Sequence, residues 1–262
     1  MKLKREKVKL KTLWETNFIS NLWFNDIDDA AILDSIENTH CSANGLVKPY
    51  SYKGVTTAVA IDCEFVGTGW EGKSNMLARV SIVNENGHTL LDTYVKPVEA
   101  VVDYRTNVSG ILPEHLKSKS AIEFKLACEK VATLIKDNIL VGHGISNDLK
   151  VLYLDHPRKM IRDTSKYKPF IREANGRTPG LRMLSNRLLG INIQSGEHDS
   201  VIDARATMRL YQHVKHQWEK LLKPGNKDNV DNEPKLTGKE KHALVVKKKR
   251  ARAERLKKQK DE

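Results

Sequence analysis

The chain has 262 residues and carries 45 Lys and Arg against 33 Asp and Glu, a formal net charge of +12. Hydrophobic residues make up 39% of it and charged residues 30%, which is typical of a globular core with polar extensions. No apolar run approaches the roughly 20 residues of a membrane span, and the basic N-terminus lacks the apolar stretch of a secretory signal. The cysteines show no CxxC spacing, so no zinc site or disulfide framework is indicated and a reducing intracellular compartment is favoured.

The positive charge is concentrated at the two ends of the chain. Residues 1–12 hold six Lys and Arg against one Glu, residues 239–262 hold eleven against four acids, and the residues between them are neutral in total. Basic tails attract polyanions and steer encounters with them. The run KKKRARAERLKK at 247–258 also resembles a nuclear-localisation or nucleic-acid patch. A solvated tail without a specific role is the alternative interpretation.

The pattern of residues divides the chain into three regions. Residues 1–54 form a basic extension, in which Trp14, Phe18 and Leu22 recur every four residues and predict one short amphipathic helix. Residues 55–222 predict a single domain of mixed α/β class. Residues 223–262 predict a polar linker that continues into a disordered basic tail.

The strands and helices of the middle region follow from its periodicity. The segment 55–66 is rich in β-formers and predicts a strand, and 78–97 predicts two more strands joined at the Asn86-Gly87 turn. These would be three consecutive antiparallel strands. Helical periodicity and short apolar runs then predict, in order, a helix at 120–137, a strand at 138–144, and helices at 147–154, 178–190 and 200–222.

The stretch AIDCEFVGTGWEGKS at 60–74 supports two conflicting interpretations. Its second half, Gly67 to Ser74, fits the phosphate-loop pattern G-x-x-x-x-G-K-[ST] of nucleotide-binding proteins. That loop requires a helix to begin at its Lys-Ser end, whereas the residues after Ser74 are β-rich and soon reach the Asn86-Gly87 turn. A glycine-rich hairpin between two strands explains the glycines more simply, and an NTPase remains the alternative.

The first half of the same stretch predicts a metal site. Side chains alternate along a strand, so Asp62 and Glu64 share a face with the small Ala58 and Ala60. Two carboxylates roughly 6–7 Å apart on one strand can share metal ions, and they repel each other without them. An exposed face of an edge strand is the alternative.

Further candidates lie at the starts of two predicted helices. Asp148 falls in the first turn of a helix that follows a short strand, where acids are also favoured by the helix dipole. His198 precedes the long C-terminal helix and Asp203 lies one turn inside it, where Ser200 and Asp203 also match a capping box. His198 alone could be an ordinary loop histidine, so these residues are informative chiefly as an ordered set.

Taken in order, these motifs resemble those of the DEDDh 3′→5′ exonucleases, in particular the RNA exonuclease 4 branch of eukaryotes. The resemblance covers about residues 55–215 and rests on AIDCEF, RVSIVNENG, YVKP, DYRT, SGI, VGHGISNDLKVL, PGL and HDSVIDARATMRLY. It implies an RNase H-like exonuclease fold with a mixed central sheet. It also implies a site of two Mg²⁺ or Mn²⁺ ions held by Asp62, Glu64, Asp148 and Asp203, with His198 as the general base. The H-x-x-x-x-D spacing is that of the histidine subclass.

The resemblance further implies an activity and a setting. The expected reaction is metal-dependent 3′→5′ exoribonuclease cleavage that releases nucleoside 5′-monophosphates, in ribosomal RNA processing in the nucleus, and more narrowly the nucleolus. Single-stranded RNA 3′ ends and pre-ribosomal particles are the expected partners, and we expect a monomer. The alternative is a pre-ribosome RNA-binding or assembly factor that uses the exonuclease fold with little catalysis.

Contacts with the terminal nucleotides are implied for a second set of residues. They are Phe65 and Val66 just past the acid pair, and Thr106, Ser109, Gly110 and Ile111 in a later loop. An ordinary loop and buried core is the alternative for this set. Leu112 and Pro113 follow it where many relatives have a threonine, a departure that affects no metal ligand.

Overall fold

A computed structural model describes residues 43–222 of the chain. The helix predicted near residues 14–22 and both basic tails therefore lie outside the described residues. Internal contacts divide the chain into a unit that ends at Lys215 and a second unit, His216–Glu262. The domain limits predicted at 54/55 and 222/223 stay predictions. Within residues 43–222, no helix is both long enough and apolar enough to cross a bilayer.

One mixed sheet forms the centre of the described part. Its strands are β1 (Ala58–Thr68), β2 (Ser74–Asn84), β3 (Thr89–Tyr94), β4 (Ile139–Gly142) and β5 (Ile161–Asp163). They are arranged in the order β3-β2-β1-β4-β5, with β1 to β3 antiparallel and with β4 and β5 parallel to β1. The predicted α/β class, with three leading antiparallel strands in a mixed sheet, is confirmed. The three-residue β5 was not predicted.

Short helices surround the sheet, and one long helix ends the described region. They are α1 (Thr106–Ser109), α2 (Pro113–Lys117), α3 (Phe124–Ile135), α4 (Ser146–Val151), α5 (Lys168–Glu173), α6 (Leu181–Leu184) and α7 (Ser200–Leu222). A π-helical turn, Ser185–Leu189, extends α6 and ends at Gly190, whose φ of 68° is the left-handed conformation that glycine adopts at helix C-termini. The predicted helix at 178–190 is thus present in two parts.

The glycine-rich stretch after β1 is a β-hairpin. Trp70–Gly72 form a short 3₁₀ turn and β2 begins at Ser74, so no helix starts where a phosphate loop would need one. A Cβ on Gly67 would lie 2.4 Å from the carbonyl oxygen of Gly72, so the close approach of the turn to β1 itself requires glycine. Lys73 is exposed and pairs with the neighbouring Glu71. The hairpin interpretation is correct and the phosphate-loop alternative is wrong.

The two faces of β1 meet different surroundings. Val59, Ile61 and Cys63 belong to the main core cluster, together with Val131 of α3 and other apolar residues. The opposite face carries Ala58 and Ala60, both fully buried, and then the two acids. The N-terminus of α7 lies over that face, because the Ser200 hydroxyl meets the Ser81 hydroxyl at 2.7 Å and Ser81 is paired with Asp62 across the sheet.

Candidate active site

The acid pair lies in the middle of the sheet, not at its edge. β1 is hydrogen-bonded to β2 along its length and to β4 through residues 58–60, so the exposed-edge alternative is wrong. Asp62 is opposite Ser81 and Glu64 is opposite Arg79. The register of the pairing shifts directly after Glu64, a bulge of the kind often found beside active sites. Glu64 is only 6% exposed, which is unusual for an acid.

Asp148 reaches this part of the sheet from α4. β4 runs parallel to β1, so the two strands run toward the same edge of the sheet, and the acids of β1 lie on that side. The helix α4 begins four residues after the end of β4. Asp148 is buried and acts electrostatically on Asp62. A hydrogen bond with Cys63 of β1 favours its ionised form. Asp148 and Asp62 therefore lie close enough for their carboxyl groups to interact, and the role of Asp148 as a metal ligand stays a prediction.

The loop that leads into α4 is held by fixed hydrogen bonds. Gly144 N donates to Asp163 at 2.9 Å, which ties the loop to the end of β5. His143 has both ring nitrogens engaged, at 2.9 Å from the Thr164 hydroxyl and 3.0 Å from the Pro179 carbonyl. His143 thus has a structural role, and both of its ring nitrogens are already engaged within the protein.

The N-terminal turn of α7 supplies Asp203 and the adjacent His198. Asp199 begins the helix, since its side chain accepts hydrogen bonds from the backbone N–H groups of Val201 and Ile202. The capping box predicted for Ser200 and Asp203 is therefore wrong, and Asp203 is free for another role. Asp203 is only 2% exposed, and His198 Nδ1 lies 3.7 Å from its Oδ2.

Burial disfavours the ionisation of all four acids, and for Asp62 and Glu64 the other acids add to it. Burial raises the pKa of Glu64 to about 8, and Asp203 adds to this while Arg79 opposes it. Burial likewise raises the pKa of Asp148 to about 7 and that of Asp203 to about 6. The pKa of Asp62 is raised well above its ordinary value by burial and then by Asp148 and Asp203. Such a cluster needs a cation before all its members can be charged together.

Two buried oxygens support a metal-binding role. Glu64 Oε1 and Asp203 Oδ1 are buried without a hydrogen-bond partner, which is costly unless a ligand completes them. Among residues 43–222, no three His, Cys, Asp or Glu side chains are arranged to hold an ion as they stand. Mg²⁺ typically binds proteins through one or two carboxylates and takes its other ligands from water and substrate phosphate. The donor set fits ions of this kind.

A network that sequence reasoning missed supports the site from β2 and β3. Arg79 donates two hydrogen bonds to Asp92, at 2.8 and 2.9 Å, and lies 3.8 Å from Asp199. The Ser81 hydroxyl donates to the same Asp92 and also meets Ser200. The network thereby connects the strand opposite Glu64 to the first turn of α7. Arg79 and Ser81 are visible in the sequence as polar residues two apart within a strand, but their partners are not.

The predicted nucleotide contacts lie next to the His198 loop. His198 N donates to the Val108 carbonyl in α1 at 2.8 Å, which joins the two segments. Gly110 has a φ of 62°, and a Cβ there would lie 3.4 Å from the carbonyl oxygen of His198. Phe65 is partly exposed at the rim of the main core cluster. These positions suit contacts with a substrate, and the contacts themselves stay predictions.

The other members of that set have internal roles in this structure. Thr106 donates its hydroxyl to the Ile111 carbonyl at 2.7 Å. Ser109 is buried and donates its hydroxyl to the Tyr104 carbonyl at 2.9 Å. Val66 and Ile111 pack in a second core cluster. Their side chains shape the wall beside His198 and do not line an open surface.

Comparison with known proteins places the described region in a family. Residues 59–211 match the family model described as Exonuclease (RNase T). The chain is 45% identical over 230 residues to human RNA exonuclease 4, covering 83% of this chain and 52% of that protein. It is 52% identical over 170 residues to RNA exonuclease 4 of Saccharomyces cerevisiae, covering 64% of this chain and 58% of the relative. The chain thus spans about half the length of the curated relatives it matches.

Solved structures show the same fold. The catalytic unit of Pan2 from Neurospora crassa, which holds a protease and a nuclease domain, is 30% identical, with a TM-score of 0.55 over 67% of this chain and 30% of that one. The Pan2 pseudoubiquitin hydrolase–RNA exonuclease module of S. cerevisiae, in complex with AAUUAA RNA, is 35% identical, with a TM-score of 0.55 over 67% of this chain and 32% of that one. These structural neighbours agree with an RNase H-like fold.

Proposed function

Since the chain belongs to the exonuclease family that its residues 59–211 match, we propose that it is a metal-dependent 3′→5′ exoribonuclease that releases nucleoside 5′-monophosphates. One observation carries the proposal: carboxylates from β1, α4 and α7 converge, and two of their buried oxygens have no partner within the protein. A purely structural site would pair those oxygens with donors. The names of the relatives, RNA exonuclease 4, support RNA as the substrate.

The residues divide into those that bind ions and one that moves a proton. Asp62, Glu64, Asp148 and Asp203 would hold two Mg²⁺ or Mn²⁺ ions, which in such sites stabilise the attacking and leaving oxygens of an in-line displacement. His198 is about one third exposed, so its ring is open to a water molecule. The water gives its proton to the ring as it attacks the terminal phosphodiester, the P–O3′ bond to the preceding nucleotide breaks, and the nucleoside 5′-monophosphate leaves while the shortened RNA keeps its 3′ oxygen. The Asp203 carboxylate, 3.7 Å from Nδ1, stabilises the resulting imidazolium.

The substrate and setting belong to the same proposal. Single-stranded RNA 3′ ends are the substrate, supported by a structural neighbour that was solved with AAUUAA RNA. The basic tails at 1–12 and 239–262 add affinity that does not depend on sequence. Processing of ribosomal RNA, pre-ribosomal particles as partners, and a nuclear, nucleolar location rest on the likeness to RNA exonuclease 4 and on the basic run at 247–258. We propose that the chain acts as a monomer.

The test uses the full chain with single-stranded RNA labelled at its 5′ end, in the presence of Mg²⁺. A 3′→5′ exonuclease produces a ladder of labelled products that shortens with time, whereas the opposite polarity releases labelled mononucleotide at once. Asp62→Asn abolishes the ladder. Asp137→Asn makes the same chemical change at an exposed turn whose φ of 59° suits asparagine, and it leaves the ladder intact.

Two results would contradict the proposal. If the purified wild type binds the RNA and never shortens it, the exonuclease fold serves RNA binding or assembly and the catalytic role is wrong. If EDTA leaves the ladder unchanged, the reaction does not depend on a divalent metal.

A further inference from the structure

Gln194 lies outside the set of predicted site residues, yet its side chain is hydrogen-bonded to one of the four acids. Its Nε2 donates to Asp203 Oδ2 at 2.6 Å, while Asp203 Oδ1 is buried without a partner. We propose that Gln194 is a positioning residue: it fixes the rotation of the Asp203 carboxylate and reserves Oδ1 for a metal ion. This inference rests on the proposed function, because it concerns the same metal site.

The chemistry of the amide accounts for this residue type. A glutamine offers two N–H donors and no charge, so it can hold one carboxylate oxygen without neutralising the carboxylate. His198 Nδ1 faces the same oxygen from 3.7 Å, so both nitrogen groups lie on the Oδ2 side. Oδ1 is left on the other side, where only a cation or a further donor can complete it. Partners of this kind orient metal ligands in many metal sites.

The loop that carries Gln194 is anchored independently of Asp203. Ile191 N donates to the Ser185 carbonyl at 3.1 Å, and the side chains of Asn186 and Asn192 meet at 2.6 Å. Ile193 is buried, with 4% of its surface exposed. Gln194 then takes a φ of 54°, a conformation that non-glycine residues adopt only when the surroundings require it. The position of the Gln194 amide is therefore set by contacts within its own loop, and not only by its hydrogen bond with Asp203.

The direct test is metal binding without RNA. Mn²⁺ is titrated into the full chain by isothermal calorimetry, and Gln194→Met is compared with the wild type, since methionine keeps the length of the side chain and loses the donor. We expect the Mn²⁺ dissociation constant to rise by about 10- to 100-fold, the usual cost of losing such a partner. The KM for RNA should stay within about twofold, and kcat should recover largely at saturating metal.

Two further variants separate the hydrogen bond from the stability of the loop. Asn192→Ala removes one anchor of the same loop and leaves the amide of Gln194 in place, and we expect a clearly smaller loss of Mn²⁺ affinity than that of Gln194→Met. Gln194→Glu keeps the shape but places a second carboxylate against Asp203, and we expect a loss at least as large as that of Gln194→Met. In an Asp203→Asn background, Gln194→Met should change Mn²⁺ affinity no further, because its effect is transmitted through Asp203.

The outcomes distinguish this inference from the proposed function. If folded Gln194→Met binds Mn²⁺ like the wild type, or if Asn192→Ala weakens binding equally, the positioning role is wrong and the exonuclease proposal is unaffected. If the wild type binds Mn²⁺ but never shortens RNA, the proposed function fails and the role of Gln194 in metal binding stands. If the wild type binds no Mn²⁺, both are overturned.

Discussion

The two faces of β1 show how one strand serves two opposed purposes. Val59, Ile61 and Cys63 point into the main core cluster and are at most 6% exposed. On the other face, Asp62 and Glu64 follow the buried Ala58 and Ala60 beneath the N-terminus of α7. The first face contributes apolar burial, the main favourable term in folding. The second holds acids that repel one another when ionised, so it lowers the stability of the fold in favour of the proposed metal site.

The small side chains explain how the charged face can be covered. Ala58 and Ala60 are fully buried and leave room for α7 to approach the strand. The helix is held there by the hydrogen bond between Ser81 and Ser200 and by Arg205 Nε, which donates to the Gly87 carbonyl at 2.9 Å. The contacts that hold α7 over this face are therefore polar, and they come from β2 and from the turn that follows it.

Asp62→Asn gives the largest expected effect, because it removes charge from the second face. We expect kcat to fall by about 10³-fold or more, since metal ions contribute several kcal/mol to such reactions. In EDTA the free energy of unfolding should rise by about 0.5–2 kcal/mol, the usual gain when a strained functional site is relieved. RNA shortening and urea denaturation measure the two. Activity above one tenth of the wild-type value would contradict the assignment of Asp62 as a metal ligand.

Ile61→Ala tests the first face one residue away. Ile61 is 1% exposed in the core, so the loss of its side chain should lower the free energy of unfolding by about 2–5 kcal/mol. At temperatures where the variant is folded, kcat should stay within about twofold of the wild type. Urea denaturation and single-turnover RNA cleavage are the measurements. A kcat that falls as far as in Asp62→Asn would mean that the two faces are not separable.

The pH dependence of stability tests the charged face of β1 without changing a residue of the core. The pKa of Glu64 is raised to about 8, so between pH 7 and 8 the unfolded chain has lost a proton that the folded protein still binds. Unfolding therefore becomes easier as the pH rises, by up to about 1.4 kcal/mol per pH unit for each such proton. This window lies above the ordinary pKa of histidine, about 6.5.

Urea denaturation in EDTA at pH 7.0, 7.5 and 8.0 measures this slope. Glu64→Gln should make it shallower, because one titrating group is lost while Asp62 and Asp148 remain, and saturating Mg²⁺ should flatten it in the wild type by favouring the ionised forms. Stability that rises with pH over this window in EDTA would show that Glu64 is ionised in the folded protein before the metal binds.

Lys73→Ala has the smallest expected effect and tests the hairpin beyond β1. Lys73 and Glu71 form an ion pair with 71% and 60% of their side chains exposed, and such pairs contribute little. RNA shortening should stay within about twofold of the wild type and the free energy of unfolding within about 0.5 kcal/mol. If the wild type hydrolysed ATP and this substitution abolished that activity, the phosphate-loop interpretation would be restored.

The order of the motifs in the sequence was enough to predict the strand β1, the hairpin at Asn86-Gly87, the mixed sheet and the long helix α7. Local pattern carries this information, because alternation places Asp62 and Glu64 on one face and turn residues mark the ends of strands. The sequence also indicated which acids belong together, through a resemblance that spans more than a hundred residues. It did not predict β5, whose three residues are too few to show a period.

The hydrogen-bond partners that support the acids are visible only in the tertiary structure. The pairing of Arg79 with Asp92, of Ser81 with Ser200 and of Gln194 with Asp203 joins residues from separate elements, and no local pattern marks such partners. The candidate residues of the site, and the strand that carries two of them, could therefore be predicted from the sequence. Their burial, their raised pKa values and the orientation of Asp203 arise from the way α4 and α7 close over the sheet, because those properties depend on neighbours that are distant along the chain.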